Sequence, residues 1–220
     1  MQENGLAHFD STYINNIIMN NLSPALIAAV AVSPLFVLVL AALWSDVKSH
    51  RIPNRLVFWG AGLGLLLNSV LPQGYGFISS LPGALGPWKA LAGLGLGFCI
   101  LLPMYALRAM AAGDVKLMAM IGAFLGPNAI VGTILMTFIV GGLLTLLVVV
   151  RNGSVRLLLG NLRTMLMVSF IKGTVLRQLP TVDAAPVTAG KLPYAVAIAL
   201  GTFTYIALER AGQMQFLKFF

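Results

Sequence analysis

Charge is scarce in this chain of 220 residues. Only 9% are Asp, Glu, Lys or Arg, against about 25% in an ordinary soluble domain, which excludes a cytosolic globule. Acids are scarcest, with 6 Asp plus Glu against 14 Lys plus Arg. Cysteine is nearly absent: Cys99 alone allows neither an internal disulfide nor a paired CxxC zinc site, and from its apolar neighbours it is expected to be a small buried hydrophobe. The first 23 residues hold Glu3 and Asp10 but no Lys or Arg, so the basic start of a cleavable signal peptide is missing. They are expected to remain as an external tail. The net charge of +8 has no hydrophilic domain on which to form a nucleic-acid surface, so no nucleic acid is expected as a partner.

What the chain has in abundance is apolar sequence, 59% of the total. A membrane span needs about 20 mostly apolar residues. On that criterion spans are expected at 24–45, 56–72, 88–107, 115–126, 127–150 and 191–209, an all-α bundle of six transmembrane helices. Together they form one membrane-embedded domain over 24–209, followed by an external tail over 210–220. Pro24 suits the first turn of the first span, and Pro34 with Ser33 is expected to kink its middle. Gly126-Pro127-Asn128 is a turn signal that divides the long apolar run 115–150. Charge supports the division, because cytoplasmic segments collect Lys and Arg. With six spans and the N-terminus outside, all but Lys89, Arg210 and Lys218 fall inside, 11 of the 14 basic residues. A single span over 115–150 would move Arg151, Arg156, Arg163, Lys172, Arg177 and Lys191 to the wrong side. Segment 155–172 is expected to lie on the cytoplasmic surface, since Arg163 at the centre of a span would cost about 2.5 to 3.5 kcal/mol. Glycines at 60, 62 and 64 and at 93, 95 and 97 would let the second and third spans approach their neighbours closely.

Two of the few acids, Asp46 and Asp114, stand at the cytoplasmic ends of spans. Asp114 follows Gly113 at a helix start, where a carboxylate can cap free amides and meet the positive end of the dipole. Asp46 closes a helix, where the dipole disfavours negative charge, and Lys48 and Arg51 offset it only in part. Ionisable groups at membrane depth mark function. Two carboxylates meeting there would share a proton and titrate as a pair. One could take a proton from water while the other donates to a peptide carbonyl, hydrolysis that uses neither metal nor cofactor. Lys116 could orient Asp114 or steady negative charge, or simply anchor topology. His50 reads as a solvated loop residue, and Pro53 with Asn54 as the stop of one helix and the start of the next. The same acids also fit a proton-coupled transporter or a structural subunit whose aspartates only cap helices.

At these residues the chain resembles the type IV prepilin peptidases, membrane aspartyl proteases of the GxGD class. The run Ser45-Asp46-Val47-Lys48-Ser49-His50-Arg51-Ile52-Pro53-Asn54 is similar to the family's first aspartate and its basic Ile-Pro-Asn segment. Ala111-Ala112-Gly113-Asp114-Val115-Lys116 resembles the second aspartate motif, with Ala111 in place of its first glycine. Lys191-Leu192-Pro193-Tyr194-Ala195 is similar to the opening of the last span. The resemblance implies that Asp46 and Asp114 are catalytic, cutting the leader from a prepilin substrate at the inner face of the bacterial cytoplasmic membrane. The short 46–55 connection leaves no room for a zinc-bearing domain with paired CxxC motifs. It is similar to the compact peptidase-only form serving Flp-type, tight-adherence pili.

Overall fold

The computed structural model describes residues 24–70, 85–153, 155–156, 160, 163–164, 167 and 194–212, with side chains in the first stretch from Val32 onward. Every element among the described residues is helical: α1 Pro24–Ser49, α2 Asn54–Val70, α3 Pro87–Ala106, α4 Ala112–Arg151 and α5 Tyr194–Arg210. Three of them, α1, α3 and α4, are long and apolar enough to cross a membrane. α2 and α5 have 17 residues each. Pro87 opens α3, where its missing N–H would be unpaired in any residue.

Side-chain spacing sets what each helix buries. Along α1 the buried stripe is Val32, Leu35, Val39 and Ala42, and Asp46 takes the next place on it. The opposite stripe, Val37, Leu40, Trp44 and Val47, is exposed and just as apolar. A helix apolar on every side belongs in lipid or in a core. On α3 the buried stripe is small, running through Ala90, Gly93 and Gly97 to Leu101. A Cβ on Gly93 would strike the Gly122 carbonyl and the Gly126 backbone, so α3 and α4 touch main chain to main chain. α2 meets α4 through Gly60 against Met120 and Gly64 against Phe124.

α4 is not one rod. A Cβ on Gly97 would touch Met118, Ala119 and Ile130 together, yet twelve residues of straight helix separate 118 from 130, about 18 Å. The helix therefore doubles back, and the reversal lies at Gly126, whose φ 78°, ψ 179° is open essentially to glycine alone. The first arm, from Asp114 to Gly126, is buried at every position except Lys116 and forms the centre of the bundle. The second arm packs against α5 in the opposite direction, Gly132 on Tyr205, Thr137 on Gly201 and Gly141 on Ala197.

Reversal leaves main-chain groups bare, and Asn68 of α2 covers them. Pro127 has no N–H to give the Ala123 carbonyl one turn back. The Asn68 amide donates there instead at 2.8 Å, and to the Phe124 carbonyl at 3.3 Å. Its Oδ1 accepts from the Leu85 amide at 3.1 Å, so one buried side chain ties three segments together.

Cys99, expected to be buried, lies exposed on α3, a helix with apolar residues on its outer face as well, and element bounds also differ in detail from the sequence expectation. α1 runs past residue 45 to Ser49 and continues through Pro34, which places Asp46 inside the last turn and not beyond it. α4 starts at Ala112, so Asp114 is the third residue of a helix that was expected to begin after it. α5 is described from Tyr194, and Lys191 and Pro193 lie outside the described residues. In the segment expected on the surface, Val155, Arg156, Gly160, Arg163, Thr164 and Met167 are helical and exposed. Its remaining residues, and both expected tails except for 210–212, also lie outside them.

Candidate active site

Asp46 sits where a helix is being stopped. The His50 amide donates to the Asp46 carbonyl at 2.8 Å, and His50 itself turns left-handed at φ 49°. The Ser45 hydroxyl donates to the Arg51 carbonyl at 2.9 Å and that of Ser49 to the Ser45 carbonyl at 2.8 Å. These bonds fold residues 50–53 back on α1, so His50 serves as a helix terminator on the exposed surface. The Pro53 carbonyl then accepts from the Leu56 amide at 3.1 Å and starts α2.

The Asp46 side chain points inward and is 8% exposed. Its Oδ2 accepts a hydrogen bond from the Ala195 amide of α5 at 3.1 Å. That amide is one of the unpaired donors of a helix N-terminus, so the positive end of α5 meets a carboxylate that the negative end of α1 disfavours. The partner is 149 residues away in sequence, which is why local helix physics leaves Asp46 unexplained.

Asp114 is 6% exposed and stands third in α4, on the turn whose capping position is Ala111. Ala111 has no side-chain acceptor to offer. The Asp114 amide donates to the Ala111 carbonyl at 3.1 Å and closes the first turn. Ala111 is extended at φ −78°, ψ 150°, a conformation open to any residue, so the glycine of the GxGD pattern is not needed for the backbone there. At Gly113 a Cβ would lie 3.3 Å from Ile52, a tight fit of the α4 start against the 50–53 loop.

The two carboxylates converge at one end of the bundle, and the charge of Asp46 acts on Asp114. Around them, the Lys116 ammonium donates to Asn54 Oδ1 at 3.1 Å and lies 5.9 Å from the centre of the Phe58 ring. It thereby ties the start of α2 to the start of α4. Tyr194, half-buried at the opening of α5, is within electrostatic reach of Asp114. Among the described residues no group of three His, Cys, Asp or Glu side chains could hold a metal ion. Of the expected site residues, Asp46, Asp114, Lys116, Asn54, Pro53 and Gly113 all gather at this end. Sequence reasoning missed the Ala195 amide; the Pro-Tyr opening of the last apolar segment was the available signal.

A bundle of apolar helices with two interacting carboxylates buried at one end, on separate helices, defines a membrane protein with an acidic polar site. The chain belongs to the type IV leader peptidase family, whose model matches residues 33–146. The match takes in both aspartates, the first arm of the α4 hairpin and most of the second, and membership implies a protease. No curated protein and no solved structure matches the chain.

Proposed function

We propose that the protein is an aspartyl endopeptidase that removes the leader from type IV prepilins, of the Flp-like kind, with Asp46 and Asp114 as the reacting pair. The observation that carries this reading is the convergence of two buried carboxylates from α1 and α4 at one end of the bundle, that of Asp46 held by the Ala195 amide and that of Asp114 subject to the Asp46 charge. Two such groups do not ionise together easily. In the productive state one is a carboxylate that draws a proton from water, and the other is an acid that hydrogen-bonds the scissile carbonyl. The water oxygen adds to that carbonyl, the amine leaves with a proton from the acid, and the pair ends with its protons exchanged. Lys116 and Asn54 hold the start of α2 against the Asp114-bearing start of α4, with Pro53 starting α2 and Gly113 letting Ile52 approach.

The site lies at the membrane surface in this reading. Trp44, 74% exposed, stands two residues before Asp46, and tryptophan favours the interface. Arg51, Arg55 and Arg108 lie exposed at the same end, supporting a cytoplasmic site in the bacterial inner membrane with both termini outside. Six crossings follow if each arm of α4 is one span, with residues 24–209 as a single unit whose outer faces meet lipid. A substrate helix enters with its leader on the cytoplasmic side and unwinds locally, because helical backbone hides its carbonyls from attack.

One observation favours a second reading: the Ala195 amide makes Asp46 a cap for α5, a role needing no chemistry. Cleavage of a co-expressed pilin precursor separates the two. Asp46→Asn and Asp114→Asn, each still accumulating in the membrane, are expected to leave the precursor unprocessed. Normal processing by either variant refutes the paired mechanism.

A further inference from the structure

Asp46 and Asp114 are 8% and 6% exposed, too well covered for a water and an extended peptide to reach both at once. Something beside them must move, and the helices are firmly held. α1 is tied to α5 by the Ala195 amide on Asp46 and, farther along, by Phe36 stacked on Phe203 with ring centres 4.8 Å apart. The first arm of α4 is the centre of the bundle. Two stretches between helices flank the aspartates in sequence, 50–53 after α1 and 107–111 before α4. The second is pinned, because Met110 is buried in the core and the Ala109 amide donates to the Met104 carbonyl at 2.9 Å. The first is held more lightly. Its Arg51 carbonyl accepts from the Ser45 hydroxyl at 2.9 Å in an exposed position, where water can take the hydroxyl's place. It opens on His50, left-handed at φ 49°, a conformation disfavoured for a residue with a Cβ. His50, Arg51 and Pro53 are exposed, and the loop sends only Ile52 inward. Ile52 packs on the core and on Gly113, the residue immediately before Asp114.

We propose that residues 50–53 are a lid on the aspartate pair, with Ile52 as its plug, and that the substrate's extended segment enters from the cytoplasmic side by displacing Ile52 from Gly113. The inference rests on Asp46 and Asp114 being the reacting groups. Closed, the lid keeps an aliphatic side chain against the turn that carries Asp114. Lifted, it opens that turn to water and peptide while Asp46 stays on the Ala195 amide. Relaxation of His50 out of the left-handed region offsets part of the packing that Ile52 gives up.

A reversible lock tests this. A Cβ on Gly113 would lie 3.3 Å from the Ile52 Cβ, close to the roughly 3.8 Å that a disulfide spans. Ile52→Cys with Gly113→Cys is made in the full chain carrying Cys99→Ala, in detergent micelles, and bond formation is followed by mass spectrometry. Two rates are compared in the oxidised and reduced forms of the same protein: cleavage of a purified pilin precursor of Flp type, and labelling of Asp46 and Asp114 by a water-soluble carbodiimide with an amine. Oxidation is expected to slow both by at least about ten-fold, and a reductant to restore them. Ile52→Ala should speed the labelling by about ten-fold, the worth of an isoleucine's half-burial in the ratio of closed to open lid. An oxidised form that cleaves and labels at the reduced rate overturns the lid and puts entry on a membrane-facing side of the site. Cysteines that fail to join overturn the contact on which it stands. Labelling needs no catalysis, so it decides even where the reduced pair cleaves poorly. It also separates the two readings: gated labelling alongside normal cleavage by Asp46→Asn or Asp114→Asn refutes the aspartate pair, and ungated labelling with both variants inactive refutes the lid alone.

Discussion

Replacing Asp46 in two different ways separates chemistry from architecture. The carboxylate accepts the Ala195 amide at 3.1 Å in a site where both residues are buried. Asparagine keeps a carbonyl oxygen on the same stem and ranks with aspartate as a helix cap. Asp46→Asn is therefore expected to unfold within a few tenths of a kcal/mol of the wild type. Alanine leaves the buried amide with no acceptor, at about 1 to 3 kcal/mol. Neither variant can take a proton from water, and loss of a general base lowers rates about 100- to 10,000-fold. The order in stability should be wild type, Asn, then Ala, whereas in activity both variants should fall together to below about one hundredth. Tryptophan fluorescence in denaturant gives the first, and mass spectrometry of the released leader the second. If Asp46→Asn cleaves within about three-fold of the wild type, well inside the loss a general base implies, Asp46 is a cap alone and the paired mechanism is wrong.

Asn68→Leu strips the cover from the buried Ala123 carbonyl and the half-buried Leu85 amide; the bare carbonyl alone should lower stability by about 1 to 3 kcal/mol, read from the unfolding midpoint. Gly93→Ala should destabilise by about 1 to 3 kcal/mol or more, because its Cβ meets the Gly122 carbonyl. Gly95→Ala, with nothing within 4 Å, should be neutral, and equal effects would contradict the α3–α4 seam. The pH profile of kcat/KM should be bell-shaped, since a pair that is fully protonated lacks a base and one fully ionised lacks an acid. A flat profile would count against proton sharing.

Much of the fold is legible in local pattern. The dyad Gly126-Pro127 marks the reversal of α4 because only glycine reaches the required φ and proline withholds the next bond. Asp46 and Asp114 stand out because acids are rare in apolar segments, and the structure brings them together at one end. Helix ends are less legible: α1 passes its last apolar residues and stops only where Ser45, Ser49 and His50 bind the 50–53 loop. Least legible are the partners supplied from far along the chain. Nothing near Asp46 in sequence announces the Ala195 amide, and nothing near Pro127 announces Asn68. Such pairs depend on how the helices pack, and a period or a spacing carries no trace of them.

The bond between Asn68 and the α4 reversal also bears on how the hairpin can sit in a membrane. α2 leaves the ribosome before α4, so its amide is in the membrane when the hairpin arrives. A hairpin inserted without it would present bare carbonyls to hydrocarbon at several kcal/mol each. As one straight helix the 40 residues of α4 would run to about 60 Å, roughly twice the hydrocarbon thickness and too long for tilt to absorb. Asn68 thus favours the folded-back form of α4 by covering carbonyls that the reversal would otherwise leave bare in the membrane.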